Sequence, residues 1–343
     1  MEEIINISTR LKPTEFEESK NPYAVEFLKK ALSPDISIKE FNELFLKLLK
    51  ASPIKENYTS YVGQKENNSS NIDVSSDPGR ALIERITNGI DSVLEDIYND
   101  RNSSINEDKS STTNVSQPQS PHQAAQDWLG VPIKDGLKAL SDDQRMKLAK
   151  KVLTVRQLPG DSSSDQIIDI IDRGIGINQK QFKDTILSIS GSNKIRKKYV
   201  MGQYGHGGSS TFRFSKKTLI VSKTKNSNHI SFTVVWYQEP DDDDDTLKIG
   251  SYIYLTENNF PLSISAEKIN FDQGTTIRHF GYDASKYKAT TNLGSIYGLC
   301  ERRLFNAPIP FVIYHPTYKN RSMIGARASL MGAYEKNNPK IKI

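Results

Sequence analysis

The chain has 343 residues, 36% of them hydrophobic and 25% charged, which suits a soluble protein with one large domain or two small ones. Its longest apolar run, 232–237, is too short to span a bilayer, and the amino terminus does not resemble a signal peptide, so we expect a cytoplasmic protein without a membrane partner. The 46 basic and 41 acidic residues give a net charge of +5, which permits contact with nucleic acid without indicating it. The single cysteine, Cys300, excludes an internal disulfide framework and a metal site built from several cysteines.

The first 60 residues have the pattern of amphipathic helices. Asn21-Pro22 opens one segment, and Ser37 with Glu40 forms a capping box before a second. The apolar residues of the second segment recur at helical spacing: Phe41, Leu44, Phe45 and Leu48. We therefore expect residues 1–60 to form a helical N-terminal region, a candidate docking domain apart from the main domain. The largely polar residues 61–76 are expected to be a linker.

A long helix is predicted after the linker. Asp77-Pro78 supplies an N-cap and a first-turn proline, and the helix contains the sequence Glu84-Arg-Ile-Thr-Asn88-Gly-Ile-Asp91. Its apolar stripe can pack beneath a sheet and consists of Ile83, Ile86, Ile90, Val93 and Leu94. Residues 101–120, rich in Ser, Asn, Thr and Gln, have too few apolar side chains to order themselves. They are predicted to be a flexible insertion.

The later part of the chain alternates helical and strand patterns. Helices are predicted from Ser120-Pro121 and from the capping box of Ser141 and Gln144. Segments 152–158 and 167–171, joined by a Pro-Gly-Asp-Ser turn, predict a hairpin that ends at Asp172. Further strands are predicted near 218–224, 230–237, 250–256, 275–280 and 310–315, with a helix near 295–305. Helices that precede and interrupt a mostly antiparallel sheet predict an α+β fold, a two-layer α/β sandwich.

Two motifs in this part are rich in glycine. Asp172-Arg-Gly174-Ile-Gly176 follows a predicted strand, and such a sequence alone is often only a turn. The second motif, Gly202-Gln-Tyr-Gly205-His-Gly207-Gly208, offers backbone N–H groups at the predicted start of a helix, where phosphate binds well. The sequence contains neither Gly-x-x-x-x-Gly-Lys-Ser/Thr nor Gly-x-Gly-x-x-Gly, which excludes a P-loop enzyme and the common dinucleotide fingerprint.

These motifs, in this order and together with Gly274-Thr275-Thr276-Ile277, resemble the GHKL ATPase superfamily of gyrase B, the ninety-kilodalton heat-shock chaperone, histidine kinases and MutL. The resemblance covers roughly residues 76–315 and is closest, over 201–212 and 218–223, to the heat-shock-chaperone-like and MORC-like ATPases. It implies that residues 77–315 form a Bergerat ATP-binding fold. It further implies an ATP lid over residues 178–201, and that residues 316–343 start a following segment or tail. The implied ligands are ATP and Mg²⁺.

Helical spacing places Glu84, Asn88 and Asp91 on one face, and all three are expected at the nucleotide. The resemblance implies that Glu84 is the catalytic general base that deprotonates the attacking water. Asn88 is expected to give its amide oxygen to Mg²⁺, which keeps most of its ligands as water and phosphate. Asp172 would accept a hydrogen bond from the exocyclic amine of adenine and would repel the carbonyl of guanine, so ATP is preferred to GTP.

The other expected nucleotide-binding residues surround these four. Gly174 and Gly176 would let the backbone approach the base, and Thr275 would add a hydroxyl near Asp172. The phosphates would lie against Gly202, Gln203, Tyr204, Gly205, His206, Gly207 and Gly208. In the lid, Lys194 is a candidate for the γ-phosphate. The alternative is that Lys194 and its basic neighbours form a solvated loop.

The resemblance implies a Mg²⁺-dependent ATPase that works as a conformational switch, in which ATP drives homodimerisation and hydrolysis releases the dimer. A protein partner or client is expected, and DNA transactions, protein remodelling and bacterial anti-phage (antiviral) defence are all compatible with the sequence. The alternative is a nucleotide sensor that binds ATP without turnover. A histidine-kinase-type phosphotransferase is disfavoured, because the first 121 residues contain no histidine to accept a phosphoryl group.

Overall fold

The computed structural model of the chain describes residues 16–51, 58–73, 76–107, 117–160, 165–189, 197–202, 208–240, 249–287, 295–315 and 320–337. Its helices are α1 (Ala24–Ala31), α2 (Ile38–Lys50), α3 (Ser69–Ile72), α4 (Pro78–Glu107), α5 (Pro121–Leu129), α6 (Asp142–Val152), α7 (Ile296–Arg303) and α8 (Ala326–Asn337). Its strands are β1 (Thr59–Tyr61), β2 (Leu153–Leu158), β3 (Gln166–Asp172), β4 (Lys217–Lys223), β5 (His229–Gln238), β6 (Ser251–Leu255), β7 (Leu262–Ser265), β8 (Gly274–Tyr282), β9 (Phe311–Tyr314) and β10 (Arg321–Met323). Within these ranges, no helix is both long enough and apolar enough to cross a membrane.

All ten described strands join one sheet. Its order is β1-β6-β5-β4-β8-β3-β2-β9-β10, and β7 pairs with β5 beside this path. The pairings are antiparallel except for that of β2 with β9, which is parallel. The predicted hairpin is present as β2 and β3, with Leu153 opposite Asp172. A mostly antiparallel sheet combined with helices confirms the predicted α+β class.

One face of the central strands packs against α4. Ile168 and Ile170 of β3 share a core with Ile86 and Ile90 of α4, and these four side chains are at most 1% exposed. Residues of α5 and α7 contribute to the same core. Because side chains alternate along a strand, Asp172 projects to the same face as Ile170. The end of β3 therefore presents its carboxylate toward α4.

The opposite face of the sheet is covered by α1 and α2. Their phenylalanines pack on those of the strands: the ring centroids of Phe41 and Phe280 are 3.7 Å apart, and those of Phe27 and Phe232 are 6.0 Å apart. The described part of the N-terminal helical region thus shares the core of the sheet and adds a partial third layer to the expected two. The reason is physical, since an amphipathic helix must bury its apolar face against another element, and this face of the sheet is apolar.

A buried ion pair fastens α1 to the sheet. Arg278 of β8 and Asp169 of β3 have side chains 0% exposed, and the guanidinium donates to both carboxylate oxygens at 2.6 and 2.8 Å. Its remaining nitrogen donates to the carbonyls of Ala31 and Ser33, at the end of α1. A third group, the half-buried Arg156 of β2, donates to Asp169 at 2.9 Å. Two cations thus share one carboxylate, and the two fully buried charges, Arg278 and Asp169, are paired with each other, as burial requires.

The expected linker at 61–76 differs from the prediction where the structure describes it. It contains α3 and a 3-10 helix, Val62–Gln64, and Val62 and Ile72 are fully buried. The side chain of Asn68 donates to the carbonyl of Tyr252 and accepts from its N–H, so it pairs with β6 as a backbone would. The polarity of the segment predicted a linker, but here one polar amide makes the pair of hydrogen bonds to Tyr252 that a neighbouring strand would otherwise make.

The structure also differs from the prediction at two other segment boundaries. The predicted insertion at 101–120 begins inside α4, which continues to Glu107, while Ser120 already caps α5 and residues 108–116 lie outside the described part. At the carboxyl end, residues expected to start a separate segment belong to the sheet, because β10 pairs with β9. A three-residue edge strand is too short to give a strand pattern in the sequence.

We expect Asp169→Asn to lower the free energy of unfolding by about 3–5 kcal/mol, because it leaves the Arg278 guanidinium buried without its counter-charge. The measurement is urea denaturation followed by circular dichroism. Arg156→Met is the control, since it removes only the partly exposed member of the cluster and should cost about 1 kcal/mol. Equal losses in the two variants would contradict the assignment of the cluster's stability to the fully buried pair.

Candidate functional site

A cavity of about 290 Å³ lies between α4 and the sheet. Its walls come from α4, the end of β3 and the turn after it, β8, the segment 181–188, and the start of the 3-10 helix Gly208–Phe214. The residues that line it are Arg85, Asn88, Gly89, Ser92, Glu95, Ile170, Asp172, Ile175, Gly176, Ile177, Gln181, Asp184, Thr185, Ile186, Ser188, Lys197, Gly208, Ser209, Thr275 and Ile277. Three motifs separated in sequence therefore share one cavity.

Polar side chains from three adjacent strands meet at one level of the sheet. Asp172 of β3 is opposite Thr275 of β8, which is opposite Ser222 of β4. The hydroxyls of Ser222 and Thr275 are 2.9 Å apart, and Ser222 accepts a hydrogen bond from the N–H of Ile177 at 2.8 Å. The expected place of Thr275 beside Asp172 agrees with this register. The row offers a carboxylate and a hydroxyl to the cavity.

Asp172 is the acid of this row, and its pKa is strongly shifted. Its side chain is fully enclosed, and burial raises its pKa from the ordinary value to about 7, against the opposing hydrogen bonds from the N–H of Gly174, from Ser92 and from the N–H of Thr275. A carboxyl group that changes its charge near neutrality inside a cavity is typical of a binding or catalytic site. It can accept a hydrogen bond from a ligand amine or amidine.

The turn after Asp172 is held against α4 by two glycines. A side chain on Gly174 would collide with Ser92, and Gly176 has φ +69° with Lys223 close to its α-carbon. The N–H of Ile175 donates to the carbonyl of Ser92 at 3.2 Å. Of the two glycines only Gly176 lines the cavity, so Gly174 acts by allowing close approach and by donating its N–H to Asp172.

The face that α4 turns to the cavity differs in part from the expected one. Asn88 lines the cavity as expected, but its companions are Arg85, Ser92 and Glu95, while Glu84 is half-buried and outside the lining. Asp91 is buried and accepts from the N–H groups of Met201 and Gly202, at 2.7 and 3.0 Å. In the structure Asp91 therefore holds the start of the second glycine motif and is not part of the cavity wall.

Only the two ends of the second glycine motif are described. Gly202 is bound by Asp91, and Gly208 lines the cavity, where a side chain would press on Asn88 and Arg85. The five intermediate residues lie outside the described part: Gln203, Tyr204, Gly205, His206 and Gly207. Their expected contacts with phosphate stay a prediction. The described end at Gly208 lies next to Asn88.

The described parts of the expected lid, 178–189 and 197–201, are packed. Phe182, Leu187 and Ile189 belong to a buried cluster under the segment, and Lys197 forms an ion pair with Glu95 of α4. The candidate Lys194 lies outside the described residues. Since Glu95 and Lys197 both line the cavity, this pair closes one side of it.

Sequence reasoning did not select Arg85, Ser92, Ser209 or Ser222. The signal for the first two was present, because Arg85, Asn88 and Ser92 recur at i, i+3 and i+7 along a helix. The signal for Ser222 was its place in a predicted strand, but register between strands cannot be read from one strand alone. In the ranges that the structure describes, no group of three or more His, Cys, Asp or Glu side chains could hold a metal.

Residues 151–257 match the model of a family described as histidine kinase-, DNA gyrase B-, and HSP90-like ATPase. No curated protein matches the chain. The matched segment contains β2 to β6, and with them the Asp172–Gly176 turn and the second glycine motif, but it stops short of α4 on one side and β8 on the other. The match indicates ATP binding and confirms the predicted resemblance to the GHKL superfamily over residues 151–257.

Proposed function

We propose that this chain binds ATP with Mg²⁺ in the cavity beside α4, hydrolyses it, and uses the cycle as a conformational switch. The observation that carries this proposal is the buried carboxyl of Asp172, with Thr275 and the glycine turn beside it, opposite a helix that presents Asn88. The family match over 151–257 supports nucleotide binding on independent grounds. The cavity volume, about 290 Å³, is at the lower limit of ordinary ligand pockets.

The adenine base is assigned to the Asp172 end of the cavity. Its exocyclic amine would donate to the carboxylate, and the apolar side chains of Ile170, Ile175 and Ile277, which line the same end, would pack against the ring. Guanine presents a carbonyl where adenine has the amine, and above neutrality the charged carboxylate of Asp172 would meet that carbonyl without a proton between them. Selectivity for ATP follows.

The phosphates are assigned to the opposite end, beside Gly208 and Asn88. One amide oxygen from Asn88 suits Mg²⁺, which takes most of its ligands from phosphate and water, and the ion would neutralise charge on the transferred phosphoryl group. The backbone N–H groups at the end of the glycine motif would supply further donors. Asp91 contributes indirectly by fixing the N–H groups of Met201 and Gly202.

Glu84 is assigned the role of general base. It lies one turn before Asn88 on α4 and is half-buried, so its carboxylate can hold a water molecule near the phosphate end and take its proton. Because Glu84 is outside the cavity lining, a nucleotide sensor without turnover remains a second candidate. The enzyme would release phosphate from ATP, and the sensor would not.

The switch itself is proposed by analogy with the superfamily. Bound ATP would favour a homodimer, and hydrolysis would release it, so that a protein partner or client responds to the cycle. DNA transactions, protein remodelling and antiviral defence are the candidate settings, and they rest on analogy alone.

Glu84→Ala should bind ATP with unchanged affinity and lose about 10²–10⁴-fold in turnover, because only the proton acceptor is removed. The measurement is Mg²⁺-dependent phosphate release from ATP. Asp100→Asn serves as the control, since this exposed acid of the same helix pairs with Lys225 away from the cavity. If the purified wild-type chain binds ATP and releases no phosphate, the sensor replaces the enzyme.

Asp172→Asn should weaken adenosine binding most at alkaline pH. Its pKa of about 7 in the free protein means that the carboxyl is largely protonated below neutrality and charged above it, and a ligand amine binds the charged form better. Adenosine affinity of the wild type should therefore rise from pH 6 to pH 8 and level off above. Calorimetric titration at several pH values measures this, with adenosine chosen because it carries no titrating phosphate.

The Asp172→Asn variant should show a flat profile in this experiment. Asp184→Asn is the matched control, because Asp184 lines the same cavity but is exposed to solvent, and its substitution should leave the rise with pH in place. A wild-type profile that is flat between pH 6 and pH 8 would remove Asp172 from contact with the base.

Asn88→Ala should lower the affinity for ATP in the presence of Mg²⁺ to the value measured in EDTA, since the lost amide oxygen is a ligand of the ion. Without the ion, wild type and variant should bind alike. Asn99→Ala, at an exposed position of the same helix, should keep the full effect of Mg²⁺. A variant that still gains affinity from Mg²⁺ as wild type does would contradict the assignment.

A further inference from the structure

Arg85 is a buried cation in the wall of the cavity. Its side chain is 4% exposed and lies where α4 meets Gly208. One terminal nitrogen, Nη2, donates to the carbonyl of Gly208 and lies 3.4 Å from the hydroxyl of Thr211. The guanidinium carbon is also 5.4 Å from the ring centroid of Phe212. Every one of these contacts is to a neutral group.

The charge of Arg85 has no counter-charge in the part of the chain that the structure describes. No ion pair there includes Arg85, and its Nε is buried without a hydrogen-bond partner. The titratable side chains that face it are His279 and Tyr282 of β8. Burial lowers the pKa of His279 and raises that of Tyr282, so both are neutral at pH 7 and neither balances the guanidinium.

Arg85 itself stays charged. Burial lowers its pKa to about 10, which is still well above neutrality. An unpaired buried charge is costly, and breaking a buried pair by removal of one partner destabilises proteins strongly. The contrast with Arg278 is informative, because that equally buried guanidinium has a carboxylate and two carbonyls around it. The environment of Arg85 is that of a cation whose anion is not supplied by the described residues.

We propose that Arg85 is the phosphate-binding cation of this site and pairs with a phosphate group of the bound nucleotide. This inference rests on the proposed function and names the group that replaces the lysine of P-loop enzymes. Gly208 makes the approach feasible, since a β-carbon there would lie 3.1 Å from Nη1 of Arg85. Nη1 makes no hydrogen bond among the described residues and neither does Nε, which is fully buried, so Nη1 is the nitrogen left for a phosphate oxygen.

The competing explanation is that Arg85 only anchors the 3-10 helix Gly208–Phe214 through the Gly208 carbonyl. If Arg85 is only an anchor, its substitution changes the shape of the cavity and lowers the affinity for all ligands, including adenosine, which lacks phosphate. If Arg85 is a phosphate-binding cation, its substitution lowers the affinity only for ligands that carry phosphate. The ratio of the affinity for a non-hydrolysable ATP analogue to the affinity for adenosine therefore separates the two roles.

The experiment is calorimetric titration of the purified full chain with both ligands, in wild type and in Arg85→Gln. We expect the affinity ratio to fall about tenfold or more in Arg85→Gln, the usual size of a lost hydrogen bond to a charged group. Arg85→Lys keeps the charge but not the fork and should give an intermediate ratio. Arg213→Gln is the control, because Arg213 belongs to the same 3-10 helix but lies outside the cavity lining and should leave the ratio unchanged.

Two results would overturn the inference while the proposed function stands. One is an unchanged ratio in Arg85→Gln, and the other is a parallel loss of both affinities, which identifies the anchor. If Arg85→Gln shows no cooperative unfolding transition, Arg85→Lys decides, and a wild-type ratio in that variant overturns the inference. A wild-type chain that binds neither ligand would instead overturn the proposed function, and the role of Arg85 with it.

Discussion

The carbonyl of Ser92 accepts a hydrogen bond from the N–H of Ile175 while Gly174 lies against the same residue, so the backbones of α4 and of the turn after β3 are in direct contact. This approach determines the width of the cavity, because α4 forms one wall and Asp172 begins the other. A side chain on Gly174 would push the helix outward. Asn88 and Asp172 would then lie farther apart, and they could no longer contact the phosphate end and the base end of one nucleotide at the same time.

The far side of the sheet supports this geometry. The row of Asp172, Thr275 and Ser222 keeps its register only if β3, β8 and β4 do not slide, and a slip of one residue would turn every side chain to the other face. The paired charges of Asp169 and Arg278 join β3 to β8 three residues away from that row. The N-terminal helices cover this face of the sheet, and the carbonyls of Ala31 and Ser33 accept hydrogen bonds from Arg278. Helices that do not line the cavity therefore help to keep the strands that form its wall in register.

Local patterns predicted what depends on local chemistry. The N-cap at Ser37, the capping box at Ser141, the apolar stripe of α4 and the hairpin that ends at Asp172 were readable, because each is a property of neighbouring residues. The site was readable where a motif is contiguous, as at Asp172, Gly176 and Gly208. Arg85 was missed although its helical spacing from Asn88 and Ser92 was readable. Ser222 was missed because the register that brings it beside Thr275 depends on another strand. Asn68 and β10 were missed for a related reason, since a single amide and a three-residue strand acquire structure only from a partner distant in sequence.

The lining of the cavity runs from Arg85 to Ile277, with contributions from α4, β3 and β8. Contacts between residues so far apart in sequence form slowly, since long loops must close before the contacts can stabilise anything. No contiguous fragment lacking either α4 or β8 could assemble the cavity. A ligand of this cavity would bind the complete fold and not its parts, and would raise the free energy of unfolding by mass action. Ligand concentration would in that way govern how long the chain survives proteolysis as well as what it does.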